Sequence, residues 1–107
     1  MEIKYSVFMV KHIVLFKLKA EASDEAKQAT AQAFKKAIEA LPAVIPFIRK
    51  VEVGININPA EQWNIALYSE FDTLEEVRVY AAHPAHVAAA GLLAELKEAR
   101  SCVDYEI

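Results

Sequence analysis

The 107-residue sequence predicts an α+β domain with a ferredoxin-like, four-stranded antiparallel sheet and helices on one face. Two observations predict this fold. Four segments alternate in polarity as strands do, and two long segments carry apolar residues at helical spacing. Their order along the chain is strand, helix, two strands, a broken helix and a final strand. Because this order is the split β-α-β pattern, the helices are expected to pack against the same face of the sheet.

Residues 10–18 predict the first strand, because successive side chains point to opposite faces. One face carries Val10, His12, Val14, Phe16 and Leu18, and the other carries Lys11, Ile13, Leu15 and Lys17. Similar alternation predicts strands over about residues 50–57, 63–71 and 101–107, the first two joined by a short loop. Large apolar residues occupy both faces of the first and third strands, which indicates that both faces of the sheet are covered.

The first helix is predicted over residues 23–41. Ser23 is a suitable N-cap, and Pro42 stops the helix because its ring cannot sit in a continuing turn. The predicted apolar stripe consists of Ala26, Ala29, Ala33, Phe34, Ala37, Ile38 and Leu41.

The second helical segment is predicted to be broken in the middle. Thr73 and Glu76 form a capping box at its start, and the helix should end near Ala82 because of the proline that follows. Pro84 suits the first position of a new helix. The apolar stripe of that helix is predicted to comprise Ala85, Ala88, Ala89, Leu92, Leu93 and Leu96.

The composition excludes several classes of protein. Twelve basic residues stand against fifteen acidic ones, so the chain lacks the positive charge of a nucleic-acid binder. No apolar run approaches the roughly 20 residues that cross a bilayer, and no membrane association is expected. Cys102 is the only cysteine and cannot form an intrachain disulfide, which fits a reducing, cytoplasmic location.

The face of the sheet away from the helices predicts a homodimer. It carries Ile13 and Leu15 together with apolar residues from other strands. Burying about 600 Å² of apolar surface would favour association by about 15 kcal/mol before entropic costs. Packing of two copies through these sheet faces satisfies the pattern, and scattered surface hydrophobic residues are the alternative.

Three histidines and one tyrosine are the candidates for chemistry. His12 shares a face with Val14 and should point between sheet and helices, whereas His86 lies at the edge of its helical stripe, from which it could reach a cavity. A position near a helix N-terminus favours neutral imidazole, so His86 could act as a base. Tyr80 lies one turn before His83. Three of these four residues also have a structural interpretation: His12 and Tyr80 as core residues, and His83 as a turn residue that bonds the broken helix end.

The sequence predicts neither a metal site nor a cofactor. A zinc site made of the three histidines is disfavoured, because the proline between His83 and His86 prevents a shared helical face. With only Gly54 and Gly91 present, the chain has no glycine-rich phosphate loop. Cys102 is interpreted as a small strand residue.

Three segments resemble the stress-responsive A/B-barrel (Dabb) family: residues 10–17, residues 80–87 with their His-Pro-x-His motif, and Asp104-Tyr105. The resemblance covers residues 9–107 as a single domain and implies a dimeric α+β barrel. Residues 1–8 are expected to be an extension or the product of an upstream start. Plant polyketide cyclases of this family catalyse an intramolecular aldol condensation between sheet and helices. The resemblance matches their acid/base histidine to His86, their tyrosine to Tyr80 and a strand histidine to His12.

Two departures from those cyclases make the predicted pocket more apolar. Ile65 stands where they have histidine, and Phe34 where they have tyrosine. With His83, these two residues are the candidates for contacts with a ligand. The first expectation is a homodimer of undefined biochemical role that binds a small apolar molecule. The alternatives are a cyclase or lyase acting on a carbonyl compound, and a heme- or oxygen-handling monooxygenase like those among related dimeric α+β barrels.

Overall fold

The computed structural model describes residues 8–107 and confirms the predicted fold class. Residues 1–7, and with them most of the predicted extension, lie outside the described part of the chain. The four strands are β1 (Val10–Leu18), β2 (Lys50–Ile55), β3 (Ile65–Phe71) and β4 (Lys97–Glu106). The helices are α1 (Asp24–Glu39), α2 (Leu74–Ala82) and α3 (Pro84–Gly91), with a short 3₁₀ turn at Leu41–Ala43. No helix within residues 8–107 has the length and apolarity to cross a membrane.

The sheet places β1 at its centre, in the order β2-β3-β1-β4, and every neighbouring pair is antiparallel. His12 lies opposite Ser69 on β3 and opposite Asp104 on β4. Directly opposed residues point to the same face of an antiparallel sheet. The register therefore brings Asp104 to the inner face, beside His12, although the two residues are far apart in the sequence.

The core lies between the inner face of the sheet and the helices. Its largest fully buried side chains include Phe34 and Ile38 from α1, Phe71 from β3 and Tyr80 from α2. His12 is 5% exposed, so it points into this layer as its strand position predicts. The inner face of β1 is therefore apolar except for the imidazole of His12.

The predicted stripe of α1 was partly wrong. Ala31, Phe34 and Ile38 are buried, whereas Ala26, Ala29 and Ala33 are exposed. At about 100° per residue, Ala29 stands about 140° around the helix from Phe34 and faces solvent. The burial of Phe34 and Ile38 determines which side of α1 faces the sheet, and each alanine is buried or exposed accordingly.

The ends of two elements also differ from prediction. α3 ends at Gly91, and the chain turns over residues 92–96 before β4 begins at Lys97, four residues earlier than predicted. Leu93 is nevertheless buried, because the turn packs it into the core. β4 is exposed along almost its whole length, since the helices cover the centre of the sheet but not this edge.

The outer face of the sheet is apolar in its middle. Ile13 and Leu15 are half-buried, and their neighbours Val103 and Tyr105 on β4 are 52% and 41% exposed. Near one end, the ammonium groups of Lys11 and Lys50 lie 5.5 Å and 5.7 Å from the centre of the Tyr68 ring. This face therefore combines an apolar centre with a charged, aromatic end.

The start of α2 offers a test of local sequence effects. The Thr73 hydroxyl accepts a hydrogen bond from the amide of Glu76 at 3.1 Å, and the Glu76 carboxylate accepts from the amide of Asp72 at 2.9 Å. We expect Thr73→Ala to lower the free energy of unfolding by about 1 kcal/mol, and Thr73→Ser to restore it. Urea denaturation measures both. Equal stability of Thr73→Ala and wild type would contradict a stabilising cap.

Candidate active site

The fold brings together three residues that the sequence singled out. The ring of Tyr80 packs near two imidazoles, with its centre 4.4 Å from that of His86 and 6.1 Å from that of His12. His12 comes from β1, Tyr80 from the last turn of α2 and His86 from the first turn of α3. The break between α2 and α3 makes this possible, because it turns His86 back towards the preceding helix.

A cavity of about 90 Å³ lies between the sheet and the helices; the two histidines line it, and Tyr80 is packed behind them, outside the lining. It is lined by His12, Val14, Phe16, Phe34, Leu67, Ala81, His86, Ala90, Lys97 and Arg100. Most of this lining is apolar, and the two cations stand at β4, where the cavity meets the exposed edge of the sheet. A larger open groove, of about 450 Å³, contains none of the three histidines.

His12 is held by a carboxylate. Its Nδ1 lies 2.5 Å from Oδ1 of Asp104 and 3.6 Å from Sγ of Cys102. An ionised carboxylate only accepts hydrogen bonds, so Nδ1 of His12 carries a proton and donates a hydrogen bond to Asp104. In the neutral ring the lone pair is then on Nε2. Asp104 thus fixes both the orientation and the tautomer of His12.

Tyr80 is fully buried, and its hydroxyl has no hydrogen-bond partner among the described residues. Buried polar groups almost always have a partner, and an exception calls for an explanation such as a catalytic role or a bound water or ion. Burial raises the pKa of Tyr80 far above its usual value, so the hydroxyl keeps its proton and remains a donor. A buried donor without a partner in the described part of the chain, on a ring near two imidazoles, is the most unusual feature of the site.

His86 has the character of a base. Loss of solvent around the ring lowers its pKa, and the nearby His12 and Arg100 add to this effect, so the neutral form is favoured. Its Nδ1 lies 3.1 Å from the carbonyl oxygen of Ala81, which can only accept. The proton of the neutral ring is therefore on Nδ1, and Nε2 is left with a lone pair that can take up a proton.

The pH dependence of His86 follows from this environment. Because its pKa in the folded state is below the 6.5 of a free imidazole, the unfolded state binds more protons near that pH. The free energy of unfolding should consequently fall as the pH is lowered through this value, down to the folded-state pKa. Nitrogen-detected NMR should show that more than half of the His86 rings are neutral at pH 6.5, and His86→Gln should lose this part of the pH dependence. A protonated His86 ring at neutral pH would contradict the assignment.

The other three residues, which were predicted to contact a ligand, lie in different environments. Phe34 lines the cavity and packs edge-on against Phe16, with ring centres 5.3 Å apart. Ile65 is buried in the core and lines a separate groove beside Trp63. His83 is the N-cap of α3, and its Nδ1 accepts a hydrogen bond from the amide of Ala85 at 3.0 Å. This bond agrees with its interpretation as a turn residue.

Sequence reasoning missed the role of Asp104 and Cys102. Both lie on β4 with their side chains on the inner face, beside His12. The alternation of β4 places the two residues on one face without showing which face it is, and the resemblance of Asp104-Tyr105 to the family does not show it either. The pairing of β4 with β1 decides that.

The sequence profile described as "Stress Responsive A/B Barrel Domain" matches residues 10–107. The chain belongs to this family. The match includes β1, the broken helix and β4, the elements that supply His12, Tyr80, His86 and Asp104. No curated protein sequence matches the chain.

Solved structures show the same fold. A dimeric protein of unknown function with a ferredoxin-like fold from Bacteroides fragilis is 64% identical, with a TM-score of 0.92, over 92% of this chain and 96% of that one. A dimeric ferredoxin-like protein of unknown function from Thermobifida fusca is 22% identical, with a TM-score of 0.75, over 99% and 97% of the two chains. A hydroxynitrile lyase from Passiflora edulis is 18% identical, with a TM-score of 0.68, over 92% and 93%. At these lower identities the likeness is one of fold.

Proposed function

We propose that this A/B-barrel protein is a homodimeric enzyme of the lyase or cyclase type, which moves a proton beside the carbonyl group of a small compound. The observation that supports this most is the buried Tyr80 hydroxyl, which has no hydrogen-bond partner within residues 8–107 and belongs to a ring packed near the imidazoles of His12 and His86. Keeping a buried donor unpaired costs about 1–3 kcal/mol. A substrate oxygen that accepts from Tyr80 would offset this cost.

The reaction needs a base and a donor, and the site holds both. His86 Nε2 removes a proton from the carbon next to the carbonyl, and the electron pair of that C–H bond moves onto the carbonyl oxygen. The Tyr80 hydroxyl donates a hydrogen bond to the resulting enolate oxygen. If the proton on His86 Nε2 first exchanges with solvent, its transfer back to carbon completes a hydrogen exchange. If the enolate carbon instead attacks a second carbonyl, the new alkoxide oxygen takes the proton from His86, which completes an aldol step and restores the base.

The surroundings restrict the substrate. A cavity of about 90 Å³ admits only a few non-hydrogen atoms, and its lining of Val14, Phe16, Phe34 and Leu67 favours an apolar body. Asp104 holds His12 at the inner end of the site, where it can orient the substrate or Tyr80. The first expected ligand is therefore a small ketone or aldehyde with an acidic C–H bond.

The homodimer is proposed to form through the outer face of the sheet. Ile13, Leu15 and Val103 make an apolar centre that the helices do not cover. Two sheets that pack face to face bury such surfaces, and a two-fold axis lets one patch serve both copies. The Bacteroides fragilis relative, itself described as dimeric, supports this assembly.

Exchange of carbon-bound hydrogen in D₂O tests the proposed reaction. Proton NMR would follow acetone, cyclopentanone and methylglyoxal with and without the protein. We expect the wild type to accelerate exchange for at least one compound by about 100-fold over buffer, and His86→Gln to lose this acceleration.

His83→Asn is the matched control. It removes an imidazole outside the cavity and replaces it with another good N-cap, so α3 should be retained and exchange unchanged. If no compound exchanges faster than in buffer, or if His86→Gln is as active as the wild type, the proposed chemistry is wrong.

A further inference from the structure

We propose that His12, Cys102 and Asp104 form a three-ligand site for a zinc-like divalent metal ion. The three ligand atoms lie within 4.8 Å of one another. The β1–β4 register explains the cluster: Asp104 is opposite His12, and Cys102 is opposite Val14, the next inward-facing residue of β1. This site goes beyond the proposed reaction, which uses no metal.

One of the distances between ligand atoms already fits the coordination of zinc, and a second must lengthen. With bond lengths of about 2.0 Å to nitrogen and about 2.3 Å to sulfur, ligand atoms at a tetrahedral angle are about 3.6 Å apart. The distance from Nδ1 of His12 to Sγ of Cys102 is 3.6 Å. The 2.5 Å between Nδ1 and Oδ1 of Asp104 is a hydrogen bond and must open to about 3.3 Å.

The exposure of Asp104 and Cys102 allows the distance between Asp104 and His12 to lengthen. His12 is buried, and its ring packs edge-on against both Phe71 and Tyr80, so it provides a fixed point. The side chain of Asp104 is 30% exposed, and Cys102 lies on the exposed strand β4, so both can rotate around the ion. A fourth position remains for water, as in zinc sites that bind a further ligand.

The donor set selects the class of metal. A thiolate, an imidazole and a carboxylate suit zinc and cobalt, whereas magnesium and calcium prefer oxygen ligands throughout. On binding, Cys102 releases its thiol proton to solvent, and the proton of the His12 ring moves from Nδ1 to Nε2. The two anionic ligands then balance the charge of the divalent ion.

Titration with cobalt(II) tests the site, because a cobalt–thiolate bond gives a charge-transfer band in the near ultraviolet. Cys102 is the only cysteine of the chain, so such a band identifies it directly. We expect one cobalt per chain, displacement by zinc, no band in Cys102→Ser, and affinity weakened about tenfold or more in Asp104→Asn. A phosphine should serve as the reductant, since thiol reductants bind cobalt themselves.

His83→Asn and His86→Gln are the controls for binding elsewhere, and both should keep the band. The readout is spectroscopic and independent of hydrogen exchange, so this site can fail while the proposed reaction stands, or the reverse. Absence of a charge-transfer band in the wild type would overturn the site. So would retention of the band in Cys102→Ser, or one cobalt shared by two chains.

Discussion

Replacing Val103 with glutamate is expected to separate the proposed homodimer into monomers. Val103 is opposite Ile13 in the apolar centre of the outer sheet face. A carboxylate buried there without a partner costs several kcal/mol, and two-fold symmetry introduces it twice. A loss of about 4 kcal/mol raises the dissociation constant about a thousandfold. Sedimentation equilibrium over a range of concentrations measures this change.

Val79→Glu is the matched control, since it makes the same substitution on the helical side of the molecule. Val79 lies on α2 and is 48% exposed, close to the 52% of Val103, so solubility and charge change equally in the two variants. We expect Val79→Glu to remain dimeric. A monomeric wild type would refute the homodimer, and an intact Val103→Glu dimer would place the interface elsewhere.

Much of the fold could be predicted because its signals are local. Pro84 at the start of α3, the Thr73 cap and the alternation of β1 each act within a few residues. The rotation of α1 was predicted less well, since alanine is compatible with either face of a helix. Phe34 and Ile38 alone fix that rotation, because they bury the most apolar surface.

Part of the site could also be predicted because its signals are local. His12 and His86 were assigned from strand and helix position, and the structure brings both beside Tyr80. The contact between His12 and Asp104 depends instead on a register between strands 92 residues apart. A shift of that register by one residue would turn Asp104 to the outer face. Alternation in β4 alone does not determine the register.

The unpaired hydroxyl of Tyr80 leads to the second large effect. We expect Tyr80→Phe to lose about 100-fold in the hydrogen-exchange assay, because the enolate oxygen loses its donor. The same variant should be more stable than the wild type by about 1 kcal/mol, since it removes a buried polar group that has no partner within residues 8–107. Exchange rates and urea denaturation measure the two effects on one sample.

The opposite signs of these effects separate a functional tyrosine from a structural one. If Tyr80 served only to fill the core, phenylalanine would keep the packing against Phe71 and His86, and exchange would not change. If an unseen partner satisfied the hydroxyl in the free protein, Tyr80→Phe would be less stable than the wild type.

Phe71→Leu is a useful comparison, because it disturbs the same cluster without touching the hydroxyl. It should lower stability by about 1 kcal/mol and leave a measurable rate of exchange. Only a donor held ready for a ligand predicts that Tyr80→Phe gains stability while activity is lost.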